Sequence, residues 1–377
     1  AGTFQEPRQV FTQQINVDNA DVSGFWIDAY QTVNITNNVL SALEVVLPEN
    51  QNSIEGQALF IRAALYFELV RFFARQYEAG ANNSQLGVPL VLNPTSGELG
   101  ADAFVSRADV ESVYGQIVND LEEARRILPS SSIGIEANAF SASALLARVY
   151  LQMGRYAEAR DAADFVISSG AYQLLGNYAD VFNRGVEPST AGAQANSNED
   201  IFALQVNAQD GTNVMNTYFS IPEFGGRDGD VEVTSLHLDL YDSTDTRRAL
   251  FFESFGSVFS GKWNNPNGNV GVIRLAEMYL IRAETNQRLG TTIGASALDD
   301  YNLVHTRAGL EAATSISLEE ILMERRRELA HEGFRIHDAR RLGETINGED
   351  PNGDAFIYPI PLRETEANAN LVQNPGY

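Results

Sequence analysis

The run at 217–230, TYFSIPEFGGRDGD, holds two kinds of side chain that together recognise a polyhydroxylated ligand. A sugar ring has an apolar C–H face and a hydroxyl edge. An aromatic ring stacks on the first, and amide, carboxylate or guanidinium groups hydrogen-bond the second. This run supplies Tyr218, Phe219, Phe224, Arg227 and Asp228, and the loop at 76–85, QYEAGANNSQ, supplies Tyr77, Asn82 and Asn83. These eight are the candidate ligand-binding residues. The alternative for each aromatic is that it caps a helix end. Trp26, which opens the first long helix, reads as core packing.

Other chemistry is sparse. The four histidines, His237, His305, His331 and His337, show no HExxH and no second ligand at metal spacing. A glycosidase needs two carboxylates about 5–10 Å apart, one with a raised pKa. No pair is singled out among the 50 acidic residues, so the chain is expected not to be an enzyme. DPNGDA at 350–355 alternates oxygen ligands but lacks the DxDxDG frame and terminal Glu of an EF-hand. It reads as a Pro-Gly turn, with a structural Ca2+ as the alternative, and DGD at 228–230 carries the same ambiguity. No other cofactor is expected. Arg325, Arg326 and Arg327 point to different sides of a helix bracketed by Glu324 and Glu328. That pattern fits internal ion pairs between helices better than an anion patch.

These residues must be positioned by helices. Apolar residues recur at helical spacing over 25–47 (Phe25, Ala29, Val33, Leu40, Leu43, Leu47), with Pro48 as a stop, and again over 54–77. The two predict an antiparallel hairpin. A third helix spans 110–128. The segment at 141–174 resembles a tetratricopeptide hairpin, with Gly154 at the turn and Ala159 and Ala163 facing back to its first helix. The segment from Arg274 through Gly290 and Gly294 to 309 repeats that layout. Such pairs stack because none buries its faces alone. The expected fold is mostly α, a tetratricopeptide-like helical-repeat scaffold with long irregular loops. It is read as a single domain over 1–377, with helical pairs at about 22–77, 110–174 and 272–335. The loop-rich ligand-face regions are 77–109 and 183–262, and long loops on a rigid scaffold are where binding resides.

The 377 residues contain no cysteine, which excludes disulfides and thiolate sites. The net charge of −24 repels phosphate backbones, so no nucleic-acid partner is expected. No run of about 18 apolar residues is present, so no membrane-spanning helix is expected. The start, AGTFQEPRQVF, has neither a basic end nor an apolar h-region and is not a signal peptide; any such segment has been removed or was never there.

Several blocks together, in order, resemble the RagB/SusD family of outer-membrane nutrient-binding lipoproteins. They are RAALYFELVRFFARQY at 62–77, GVPLVL at 87–92, LYDSTDTRR at 240–248 with Tyr241, Asp245 and Arg247, IRLAEMYLIRAE at 273–284, ERRRELAHEGFRIHDARR at 324–341, and the closing PIP and QNPGY. The resemblance implies a cell-surface, non-catalytic protein that captures oligosaccharide or polysaccharide. It further implies delivery to a SusC-like TonB-dependent transporter and membrane attachment only through an N-terminal lipid anchor on a Cys before Ala1. Trp263 falls where the family carries a core strand, and the tail is expected to seal the scaffold. The same fold binding a peptide or another nutrient, or serving as a protein-docking scaffold, are the alternatives. The acidic surface leans toward a neutral glycan.

Overall fold

The computed structural model describes residues 4–95, 100, 103–131, 135–182, 196–206, 209 and 211–377. In chain order its helices are α1 (Gln5–Phe11), α2 (Ala20–Ser41), α3 (Pro48–Phe73), α4 (Val110–Ile127), α5 (Ala139–Gln152), α6 (Tyr156–Ser168), α7 (Val214–Phe219), α8 (Ser235–Leu238), α9 (Leu275–Leu289), α10 (Ala297–Arg307), α11 (Leu318–Glu328), α12 (Arg335–Leu342) and α13 (Leu362–Ala367). The strands are β1 (Leu86–Pro89), β2 (Arg107–Asp109), β3 (Asp200–Leu204), β4 (Phe251–Ser254), β5 (Ser257–Ser260) and β6 (Val270–Arg274). They pair antiparallel as β1 with β2, β3 with β6 and β4 with β5. The fold is mostly α and tetratricopeptide-like, as the helical spacing predicts. Among the described residues no helix is long and apolar enough to cross a membrane. Two compact units divide the chain: Ala1–Ser130, Ala137–Arg155 and Arg335–Tyr377 form the first, Ser131–Glu136 and Tyr156–Phe334 the second. The predicted hairpin at 141–174 falls on this division, α5 belonging to the first unit and α6 to the second.

In the first unit α2 packs on α3, α3 on α4 and α4 on α5. Asn19 caps α2, its side chain accepting from the Val22 amide at 3.1 Å. Val22, Trp26, Ala29 and Val33 are the buried stripe. Pro48 does not stop the first helix. That helix ends at Ser41, and Pro48 opens α3, where its missing N–H is one of the first-turn orphans anyway. Arg62 on α3 ties three helices. Its guanidinium donates to both carboxylate oxygens of Asp120 on α4, each at 2.8 Å, and to Asn37 Oδ1 on α2 at 2.9 Å.

The C-terminal end of α3 exposes orphan carbonyls, and the tail satisfies them. Tyr358 donates its amide to Phe72 O at 2.8 Å, and Asn374 donates its side chain to Phe73 O at 2.8 Å. Arg107 donates to Phe73 O and Val372 O, and Arg340 to Arg71 O and Ala74 O. Two guanidinium charges thus sit at the negative end of the helix dipole.

In the second unit α9 packs against α6, α10 and α11. Ala159 and Ala163 of α6 and Ala276 and Ala283 of α9 are fully buried and allow close approach. Arg282 repeats the device of Arg62, donating to Asp300 on α10 at 2.6 and 2.8 Å and to Asp164 on α6 at 2.5 Å. Gly294 makes room for it, since a Cβ there would stand 2.0 Å from the Asp164 carboxylate.

Beside these helices lies a lattice of buried charge. Glu328 is 0% exposed and shares three guanidinium groups, those of Arg307, Arg274 (3.2 Å) and Arg247 (3.4 Å). Arg247 also pairs with Asp245 and Glu324, Arg274 with Glu199 and Glu332, and Arg307 with Glu199. Lys262, the chain's single lysine, is 3% exposed and donates to Glu332 and Ala330 O, each at 2.7 Å. Burial alone would push the Glu328 carboxyl up; Arg307, Arg274 and Arg247 outweigh it and hold the group well below the usual carboxylate range. The arginine-rich helix is thus an internal tie, although its glutamates carry most of the pairing.

Trp263 stands in a 3-10 turn, Gly261–Trp263, and not in a strand. Ser260 at the turn's N-cap accepts from the Lys262 amide, and the Trp263 indole donates to His331 O at 3.2 Å. Around His331 gather Phe219, His237 and Phe251, with ring centroids 4.9–6.0 Å away. Burial, with Lys262 and His237 nearby, pushes His331 down to about 3. Burial, with Arg326 and Lys262, pushes His237 down to about 4. The β4–β5 hairpin turns at Phe255–Gly256, where Phe255 has φ +52° and is 77% exposed.

Replacing Glu328 by Gln leaves buried guanidinium charge uncompensated and should cost about 3–5 kcal/mol in urea denaturation; a loss under about 1 kcal/mol would contradict this account. Phe255→Asn puts a residue suited to the left-handed region into the turn. It should raise stability by up to about 1 kcal/mol, and a lowered melting temperature would contradict it. The unfolded chain protonates His331 and His237 near the ordinary value of about 6.5, whereas the folded chain resists protonation down to 3–4. Their contribution is therefore complete above pH 6.5 and is lost as pH falls from 6.5 toward 3. His331→Asn, which suits the φ of +62°, should flatten melting temperature against pH across that window. An unchanged slope would contradict it.

Candidate ligand-binding loop and groove

The two predicted residue groups belong to different units. In the second unit the loop following α7 is folded back on that helix. Arg227, Gly229 and Val231 donate their amides to Thr217 O, Ser220 O and Tyr218 O at 3.1–3.3 Å. Gly226 and Gly229 permit this, because a Cβ on either would lie 2.3–2.4 Å from Ser220 backbone or the Phe259 ring. Asn216, fully buried, donates to Trp263 O at 2.7 Å and Phe224 O at 3.1 Å, and Asn213 caps α7 while donating to Gly268 O at 2.8 Å. Buried amides thus brace the loop.

On this base Phe224 is 36% exposed and meets Phe252 edge to face at 5.6 Å. The Arg227 guanidinium lies 5.0 Å from the centre of the Tyr218 ring and pairs with Asp230 at 2.7 Å, and Asp228 is exposed. Tyr218 and Arg227 are therefore in contact, with Phe224 and Asp228 on the same loop. Phe219 is turned to His331 at 5.6 Å.

In the first unit Asn83 is buried and committed to its own loop. Its Oδ1 accepts from the Glu78 amide at 2.7 Å, and its Nδ2 donates to Glu78 O, Ala81 O and Glu111 at 3.1–3.2 Å. Its φ of +46° marks the turn it holds. Tyr77 is half-buried, 4.9 Å from the Tyr114 ring, and Asn82 is exposed. Burial, then the hydrogen bond with Glu111, raises the Tyr77 hydroxyl.

Neither proposed calcium loop offers a vacant carboxylate cage. Asp354 pairs with Arg75, Asp350 Oδ1 accepts from the Asn352 amide, and Asp230 pairs with Arg227. Among the described residues no three His, Cys, Asp or Glu gather for a metal. Burial raises Asp200 to about 6, but the pocket it lines encloses only ≈ 20 Å³, room for a water and not a sugar.

Sequence reasoning missed a groove of about 430 Å³ in the first unit, lined among others by Trp26, Tyr30, Asn34, Phe104, Arg363 and Asn368. Trp26, Tyr30 and Asn34 recur every four residues on α2, a spacing visible in the sequence that also fits plain core packing. The rest of the lining comes from segments far along the chain.

Residues 5–151 match a family model described as SusD-like, starch-binding and associating with outer membrane, and residues 258–353 match the SusD family model. SusD-like protein P2 of Formosa agariphila is 28% identical across 100% of this chain and 85% of its own length. The starch-binding protein SusD of Bacteroides thetaiotaomicron is 33% identical over 30% of this chain and 22% of that protein. Among solved structures, a SusD superfamily protein from B. thetaiotaomicron superposes with TM-score 0.78 at 26% identity, covering 96% of this chain and 88% of that one. A laminarin binding SusD-like protein superposes with TM-score 0.77 at 27% identity, covering 98% and 88%. With this fold, and with family matches at both the N-terminal and C-terminal parts of the sequence, the chain belongs to the SusD/RagB family.

Proposed function

We propose that this protein binds neutral oligosaccharide or polysaccharide at the outer membrane and passes it, uncleaved, to a SusC-like TonB-dependent transporter, held at the cell surface by a lipid anchor. The observation that carries the reading is the braced loop of the second unit. There the Phe224 ring is half-open to solvent, the Tyr218 ring stacks with Arg227, and Asp228 is exposed. Rings for the C–H face and charged groups for the hydroxyls belong to one braced segment, α7 and its loop, and such bracing limits the entropy lost on binding. Likeness to a laminarin binding relative supports a glycan ligand. The net charge of −24 supports a neutral one, because like charge repels. Release without bond cleavage is supported by the likeness to SusD-family proteins described as starch-binding and laminarin binding.

Calorimetry against a panel of neutral polysaccharides should give a saturable heat, and incubation should release no reducing sugar. Phe224→Ala and Tyr218→Ala should each weaken binding about tenfold, the loss of roughly 1.4 kcal/mol expected for a central aromatic contact. Phe219→Ala, which removes packing on His331, should lower the melting temperature more than the affinity. Full affinity in Tyr218→Ala, Phe219→Ala and Phe224→Ala alike would remove this loop from the site.

A further inference from the structure

We infer that the groove of the first unit is a second, separate binding site for a neutral saccharide, an inference that rests on the glycan-binding reading above. Its size is the first argument. At about 430 Å³ it falls within the range of small-molecule pockets.

Its walls are the second argument, because side chains fix them before any ligand arrives. Tyr30 donates its hydroxyl to Pro89 O at 2.8 Å, Asn34 Oδ1 accepts from the Thr95 amide at 2.8 Å, and Asn37 donates to Val91 O at 2.8 Å. These three hold the end of β1 and the segment after it against α2. On the other side Asn368 donates to Val105 O at 2.9 Å and Asn370 to Phe104 O at 2.7 Å, which fixes the tail against the segment before β2. A groove assembled by five side-chain-to-backbone bonds is preorganised, and preorganisation is what lets modest contacts give useful affinity.

The lining gives the ligand class. Trp26 and Tyr30 pack ring against ring at 4.8 Å, and Tyr30, its hydroxyl already committed, offers only its ring. Phe104, 39% exposed, adds a second aromatic surface. Gln31 and Thr95 contribute an amide and a hydroxyl beside the wall-holding amides of Asn34 and Asn368, and the one charged pair, Arg363 with Glu364 at 3.2 Å, is self-neutralising. Rings and amides without net charge recognise a polyhydroxylated, uncharged chain and give a phosphate or uronate no preference.

The chain's two tryptophans make the test direct. Trp26, itself 3% exposed, lines the groove from the core side, and Trp263 lies in the second unit. Laminarihexaose, maltohexaose and cellohexaose, with the tripeptide Ala-Gln-Ala as the non-saccharide probe, are titrated against the full chain while tryptophan emission is followed. One of the hexasaccharides should give a saturable change that persists in Trp263→Phe and vanishes in Trp26→Phe. The exposed-side variants Phe104→Ala and Arg363→Ala should each raise the midpoint about tenfold, while Phe224→Ala leaves it unchanged. A silent Trp26, with calorimetric binding that is lost on Phe224→Ala, overturns the second site and leaves the loop site standing. A response to the tripeptide alone also overturns it. Absence of both emission change and heat with every saccharide overturns the groove and the glycan reading together.

Discussion

Glu328 sets the terms for the second unit. A carboxylate with no access to water is stable only if cations reach it with hydrogen-bonding geometry, and breaking such a buried set leaves bare charge behind. The cations come from three separate places in the sequence, Arg247, Arg274 and Arg307, and each is shared with another acid. The 3-10 segment at Thr246–Leu250, β6 and α10 must therefore reach α11 together. No one of these elements can be displaced without stranding charge on the others. That constraint also fixes where α7 and its loop stand, since the Lys262–Trp263 turn that braces them is anchored to the same segment, at Ala330 O and His331 O.

Each unit repeats one motif in miniature. Arg62 and Arg282 sit mid-helix on α3 and α9 and reach acids on the neighbouring helices. The planar guanidinium suits this role because two of its N–H groups engage both oxygens of one carboxylate while a third is left for another partner. The helix interfaces are thus registered by polar pairs and filled by small and aliphatic residues, and this lets divergent repeats keep the same packing.

Periodicity in the sequence located α2, α3, α4, α9 and α10, because a buried stripe must recur with the helix. It misjudged Pro48, whose meaning depends on whether a helix is ending or starting beside it. It could not separate Phe219 from Phe224. Both are aromatic and stand five positions apart, Phe219 at the end of α7 and Phe224 in the loop behind it, and only the fold turns one toward His331 and the other to solvent. Asn83 read as a sugar-binding amide because its type suits that chemistry; the left-handed backbone that makes it a loop clamp leaves no mark in composition. The groove was illegible for a plainer reason. Its walls come from 26–34, 89–95, 103–105 and 363–371, and no local pattern links segments that distant.

Confining the only lysine to the charge lattice has a chemical consequence. Open-chain reducing sugars condense with free amines to imines, and a surface that concentrates saccharide raises the local supply of aldehyde. In this chain no lysine amine meets solvent, and the side chains that carry permanent positive charge outside are guanidinium groups, which do not form that imine. In the proposed role, the protein could hold sugar chains against itself without glycating its own lysine side chains.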